Sequence, residues 1–200
     1  MTKPAYHHGG LYEALIDTAV ELLAKKGAAS LSLREVAREA GVSHGAPAHH
    51  FGDKAGLLTA VAAQGHQKLA ARLQQGQIQT APAAQRLLAA GEAYIRFAIE
   101  HPAHFSVMFQ PDLINMDNAE YLANGARSRA VLRTSIEAVL RPSGAPDTRV
   151  EATEVALWSL VHGFASLWLA GNLGELSDAK LLSSLIESTL SSLSAELSVQ

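Results

Sequence analysis

The 200-residue chain contains no cysteine, which excludes disulfides, thiolate metal sites and thiol redox sensing. Aromatic residues are scarce at 6%, while alanine and leucine dominate a hydrophobic fraction of 48%. That balance favours helix over sheet and permits a sizeable core. No uncharged apolar run reaches the ~18 residues of a membrane span. Residues 155–173 come nearest, but His162, Asn172 and their helical patterning suit a buried helix. The N-terminus lacks a signal-peptide core, so a cytoplasmic protein with no membrane partner is expected. Glycine-rich phosphate loops and nucleophile elbows are missing too. The only metal-like pairs are His7-His8 and His101-x-x-His104; the second has no third ligand nearby and reads as polar surface. No catalytic residue, metal or cofactor is therefore expected. The net charge of −3 argues against unselective coating of nucleic acid, yet permits a local basic face.

What is present concentrates in residues 31–58, LSLREVAREAGVSHGAPAHHFGDKAGLL. Ser32 is placed to cap a helix, with Glu35 at capping-box spacing. Leu33, Val36, Ala37 and Ala40 then share one face, and Arg34, Arg38 and Glu39 the other. Gly41 ends that helix, Val42 is the apolar peg of a turn, and Ser43 reads as a second N-cap. A short helix from His44 to about His50 follows, closed by Phe51 as a core anchor. Gly52-Asp53-Lys54 is a turn with Asp53 as a third cap, and Leu57, Leu58 and Val61 open another amphipathic helix. Helix, glycine turn, helix is the pattern of a helix-turn-helix that sets a helix in a DNA groove. The same bare pattern also occurs in ordinary helical hairpins.

The stretch GVSHGAPAHHFGDKAGLL resembles the DNA-binding domain of the TetR family of transcriptional repressors. So does the preceding helix, Leu11 to Lys26, ending at Gly27. The resemblance covers residues 6–65, and Tyr6-His7-His8-Gly9-Gly10-Leu11 is similar to the lead-in of one TetR subgroup. There are departures: Ala48 stands where the family carries a phosphate-contacting tyrosine, and Ala46 where it carries threonine or serine. Pro47 lies in the first turn of the recognition helix and makes an irregular start expected. Gly45 is the family's small residue that permits close approach to DNA.

Contacts sort by role. Ser32, Arg34 and Lys54 are phosphate candidates. Ser43, His44, Gly45, Ala46, Ala48 and His49 lie in or near the major groove. His44 and His49 are the candidates for reading base edges, and Ala46 and Ala48 for touching a thymine methyl. His50 either joins them or packs on the first helix.

Beyond residue 65 further helices are expected at 64–79 (continuing from Lys54), 82–100, 102–110, 117–141, 147–171 and 177–197. Pro142-Ser143-Gly144-Ala145-Pro146 reads as a linker. The fold class is thus all-α, about nine helices, with a three-helix DNA-binding domain at 1–53 and a ligand-binding and dimerisation domain at 54–200. Leu157, Leu160, Val161, Phe164, Leu167 and Trp168 give one helix a wide apolar surface, and the last helix offers a second. Both faces are either buried within one chain or shared between two; the resemblance implies a homodimer through the last two helices. Trp158, His162 and Gly163 look like the tryptophan-histidine-glycine C-terminal domain of a TetR subgroup. Gly163 would admit a close helix, and His162 is either a ligand-facing group or a core histidine with a buried partner.

A ligand pocket implied by the resemblance draws on Tyr94, Phe97, Phe105, Met108, Phe109, Tyr121, Trp158 and His162; few charges among them favour a largely apolar small-molecule effector. The expected function is a dimeric repressor released from palindromic operator DNA by that effector. The alternative is a helical ligand- or protein-binding adaptor that has lost operator binding.

Six of the nine histidines fall within residues 1–70. A phosphate beside an imidazole favours its charged form. Duplex affinity is therefore expected to fall with added salt and with rising pH over roughly 6 to 8. Affinity measured by fluorescence anisotropy that stays flat over that pH range counts against a histidine contribution.

Overall fold

The computed structural model describes residues 8–75 and 81–173, together with Ser184 and Ser188, both helical. The regular elements are α1 (His8–Lys26), α2 (Leu33–Ala40), α3 (Ala46–Phe51), α4 (Lys54–Gln75), α5 (Ala83–Glu100), α6 (Pro102–Met108), α7 (Ala119–Leu140) and α8 (Asp147–Leu169), with a 3-10 turn at Arg141–Ser143. The all-α class stands. The helix read over 177–197 lies outside the described residues.

The chain divides into two compact units, Met1–His66 with His101–Asn124, and Gln67–Glu100 with Gly125–Gln200. In the first, α1 buries Leu15, Ile16, Ala19, Leu22 and Leu23, a stripe at helical spacing. Ser32 caps α2: its Oγ accepts from the Glu35 N–H at 3.3 Å. Only this half of the capping box forms. The Glu35 carboxylate pairs instead with Lys26 and Arg38, because α1 delivers a lysine to it. At the far end Gly41 is left-handed (φ 68), and the Gly41 and Val42 N–H groups close on the Arg38 and Ala37 carbonyls at 3.1 and 3.0 Å. That is a Schellman end, which satisfies two otherwise orphaned carbonyls.

The recognition segment departs from the expected start. α3 begins at Ala46, not His44, and Gly45 rather than Ser43 is its N-cap, with no side-chain cap bond. Pro47 explains this. It has no N–H to donate to the Ser43 carbonyl, so Ala46 donates there instead at 3.0 Å and closes a tight turn. Asp53 caps α4 as expected, its Oδ1 accepting from the Gly56 N–H at 2.8 Å.

Two glycines of α4 have packing reasons that spacing alone does not reveal. A Cβ on Gly56 would overlap the Phe51 carbonyl oxygen, so the end of α3 rests directly on α4. A Cβ on Gly65 would lie 2.6 Å from Met108 Sδ, which marks the close crossing of α4 and α6. Polar contacts hold the following segment to the same helix. The Asn115 N–H donates to Thr59 Oγ1 at 2.8 Å, and Asn124 Nδ2 to the Ala63 carbonyl at 3.2 Å.

In the second unit α5 and α8 pack together. Leu87, Ile136, Leu140, Ala145, Val150 and Leu157 form a core, with Leu132 and Val139 against it. The stretch 142–146, expected as a linker, is a packed corner. Ala145 is buried within that core, and Arg141 binds the Ala145 carbonyl at 3.1 Å and pairs with Asp147. Glu154 is a charged member of the buried stripe on α8. It is only 4% exposed and is held by Arg129 and by Arg133 at 3.4 Å. Removing the arginines would strand the buried carboxylate.

Gly56→Ala is expected to cost about 1–3 kcal/mol, the usual range for overpacking against a part that cannot give, here a backbone carbonyl. Gly65→Ala should cost less, since the Met108 thioether is flexible. Urea denaturation of both variants checks the order.

Candidate nucleic-acid interface

The outward face of α3 follows from what lies beneath it. Pro47 is buried, and Phe51, four residues on, is half-buried with its ring 4.9 Å from Tyr12 of α1. His50 also sits edge-on to Tyr12, at 6.1 Å, so of its two possible places it takes the one against the first helix. Helical spacing then turns His44, Gly45, Ala48 and His49 outward, and all four are exposed. Ser43 is exposed in the turn, whereas Ala46 is only half-exposed at the margin.

The helices before and after α3 carry cationic groups. Lys54 donates to the Ala29 carbonyl at 3.0 Å, tying the start of α4 to the loop that leads into Ser32. Two of its ammonium hydrogens remain for another acceptor. Arg34 is exposed and has no acidic partner among the described residues. Arg38 is committed to Glu39 at 2.9 Å and Glu35 at 3.5 Å. The structure thus brings Ser32, Lys54 and the outward face of α3 onto one unit, with no Lys, Arg, Asn or Gln among the exposed residues of α3 itself.

The eight ligand-pocket candidates fall into two groups. In the second unit Tyr94, Phe97, Trp158 and His162 lie on α5 and α8. The Tyr94 hydroxyl is 2.9 Å from His162 Nδ1, and the Trp158 ring is 5.5 Å from the His162 ring. Burial raises the Tyr94 phenol well above its ordinary value and lowers the His162 imidazole. The Tyr94 hydroxyl and His162 Nδ1 are within hydrogen-bond distance, so His162 has a buried protein partner. No described residue lies within 4 Å of a Cβ on Gly163, so the close approach expected there is not made by α5. Trp158 itself is 42% exposed.

In the first unit Phe105, Met108 and Tyr121 are buried and Phe109 is half-buried. The Phe105 and Phe109 rings meet edge-on at 5.6 Å, and the Tyr121 hydroxyl donates to the Met108 carbonyl at 3.0 Å. The sequence reading missed His66, whose ring lies 5.5 Å from Phe109 and 5.3 Å from Tyr121. Burial pushes its pKa down to about 4. It also placed His104 at the surface, whereas His104 is 3% exposed. His104 turns inward because α6 crosses α4, where His104 Nε2 meets Gln64 Oε1 at 2.7 Å. Gln64 Nε2 donates in turn to Glu13 at 3.3 Å. The carboxylate fixes the amide orientation, and the amide oxygen then requires a proton on His104 Nε2. Glu13, Gln64 and His104 form one chain from α1 through α4 to α6.

No described helix is long and apolar enough to cross a membrane. Among curated proteins none matches the chain. Residues 15–61 match the profile of bacterial regulatory proteins of the tetR family, and residues 87–190 that of the tetracyclin repressor-like C-terminal domain. A protein of unknown function from Rhodococcus sp. RHA1 is 28% identical, with TM-score 0.79 over 95% of this chain and 96% of that one. A tetR-family regulatory protein from Rhodococcus RHA1 is 21% identical, with TM-score 0.71 over 90% and 95%. The TetR-family transcriptional regulator PfmR from Thermus thermophilus is 19% identical, with TM-score 0.66 over 88% and 94%.

His66 generates a pH prediction. Its folded-state pKa of about 4 lies below the ordinary value of 6.5, so the unfolded chain takes up a proton that the folded chain refuses. Its contribution is complete above pH ~6.5 and is lost as pH falls toward 4, about 3 kcal/mol in all. In urea titrations between those limits His66→Leu should flatten the loss; an unchanged slope rules His66 out as its source.

Proposed function

Because the chain belongs to the TetR family of bacterial regulatory proteins, we propose that this DNA-binding transcriptional regulator is a dimeric cytoplasmic repressor, released from a palindromic operator by a small, largely apolar ligand. The observation that carries this reading is the exposed face of α3 on one compact unit with Ser32 and Arg34 at the start of α2 and Lys54 at the start of α4. Residues 1–53 read DNA, with Ser32, Arg34 and Lys54 positioning and Ser43, His44, Gly45, Ala46, Ala48 and His49 at the groove. Residues 54–200 bind ligand and dimerise. The Trp158, His162 and Gly163 set supports membership of the tryptophan-histidine-glycine subgroup.

The dimer reading draws support from α8. One side buries Val150, Leu157, Val161 and Ala165, while Val155, Trp158, Leu160, Leu167 and Leu169 are exposed, between 38% and 59%. A helix apolar on two sides has a second face to cover. A second copy related by a two-fold axis suits half-sites about one helical turn apart. Ligand binding that favours a different tilt of α4 would change the separation of the two recognition helices and release DNA; this needs unequal affinity for the two states. The alternative, a helical adaptor that has lost operator binding, is favoured by the lack of any charged side chain on the outward face of α3.

The test uses the full chain: selection of bound duplexes from random DNA, with mass in solution measured alongside. The repressor reading expects a palindromic consensus, salt-dependent retention and a dimer. A monomer overturns the dimer, and no retention on DNA at low salt favours the adaptor. On the selected duplex, Lys54→Ala is expected to weaken all sequences alike and to reduce the salt slope by about 1. His49→Ala should change preference at one position by about 1–3 kcal/mol. Uniform losses from both variants contradict the division of roles.

A further inference from the structure

The glycines of the first unit from residue 27 onward have internal explanations, with one exception. Gly27, Gly41 and Gly52 have positive φ, and Gly56 and Gly65 are closely approached by Phe51 and Met108. Gly45 has an ordinary helical backbone (φ −82), and a Cβ there would meet nothing within 4 Å. As the N-cap of α3 it is replaceable by Ser, Asn or Asp, so neither packing nor backbone inside the protein restricts this position to glycine. It is exposed on the same face as Ala48 and His49, three and four residues on.

This face lacks every side chain that makes the common bidentate contacts, Arg or Lys to guanine and Asn or Gln to adenine. Its centre is a bare backbone and one methyl group, with His44 and His49 at its margins. The only apolar group that the major groove offers to a methyl is the C5-methyl of a pyrimidine. The charge layout agrees. Positive charge lies at Arg34 and Lys54, where it can meet phosphates, and the centre is left to apolar contact.

We infer that α3 reads a pyrimidine C5-methyl group in each half-site, on thymine or on a 5-methylcytosine in its place, through the Ala48 methyl, while Gly45 lets the helix backbone come down onto the base edges. The inference rests on the DNA-binding reading and specifies what that face recognises. The two imidazoles contact purine edges on either side. The protein therefore responds to cytosine-5 methylation at that position.

The experiment starts from the duplex selected by the full-length protein. Each thymine is replaced in turn by uracil, which removes only the C5-methyl, and affinities are measured for wild type, Ala48→Gly and Ala48→Ser. One thymine per half-site should show a loss of about fourfold on conversion to uracil, the equivalent of one buried methyl. Cytosine there should bind less well than thymine, and 5-methylcytosine should recover part of the difference. In both Ala48 variants the thymine–uracil difference should vanish, an outcome that general weakening of α3 does not produce. Gly45→Leu should lower affinity for every duplex and leave the thermal midpoint unchanged. A selected consensus with no uracil effect anywhere, or discrimination that survives both Ala48 substitutions, overturns the inference and leaves operator binding standing. If no sequence is enriched, the DNA-binding reading itself falls.

Discussion

The corner between α3 and α4 is the constraint on which the reading head depends. Phe51 ends α3 with its carbonyl against the place where Gly56 has no side chain. Gly52 turns the chain with φ 75, and Asp53 caps α4 through the Gly56 N–H. These residues set the angle at which α3 leaves α4. Lys54, the next residue, reaches the Ala29 carbonyl and brings the α1–α2 loop to the same place. Phe51 and His50 close the other side on Tyr12. The short α3 has no side-chain cap of its own and too few residues to be stable alone. Its position is supplied almost wholly by this surround.

The segment from His101 to Asn124 packs with the reading head rather than with its neighbours in sequence. Its ties are specific: Met108 against Gly65, Asn115 to Thr59, Asn124 to the Ala63 carbonyl, and His104 through Gln64 to Glu13. Where a thioether lies against a helix backbone with no Cβ between them, α6 cannot slide without displacing α4. Close-packed interfaces shift between discrete arrangements rather than deform smoothly. Arg34, Lys54 and the α6 segment therefore belong to one compact unit.

Local signals were legible from the sequence, and long-range ones were not. Ser32, Gly41 and Asp53 announce helix ends through side-chain and backbone chemistry confined to a few residues, and all three act as read. The register of α3 was misread because a serine before a helix is a strong cap signal, while the lost Pro47 N–H acts on a carbonyl four residues back. The reason for Gly56 and Gly65 lies in Phe51 and Met108, and spacing does not carry that pairing. Glu154 illustrates the same limit. At positions 150, 154, 157 and 161 it interrupts an apolar stripe, and only the two arginines of α7 make its burial tolerable. Of the pocket candidates, residue type found the aromatic groups but missed His66, which sits among alanines and glutamines. Each group's company was fixed by tertiary contacts.

The histidines of the first unit then divide by environment. His44 and His49 are exposed on the outward face of α3. His66 is enclosed by Phe109 and Tyr121, where burial disfavours the charged form. Acidification toward pH 4 therefore works against the packing around those two rings, because burial has moved His66 to about 4. Above that range a neutral His66 keeps the aromatic cluster free of charge. The same residue type thus serves as an exposed polar group on α3 and as a packed ring on α4, and tertiary contacts alone decide which.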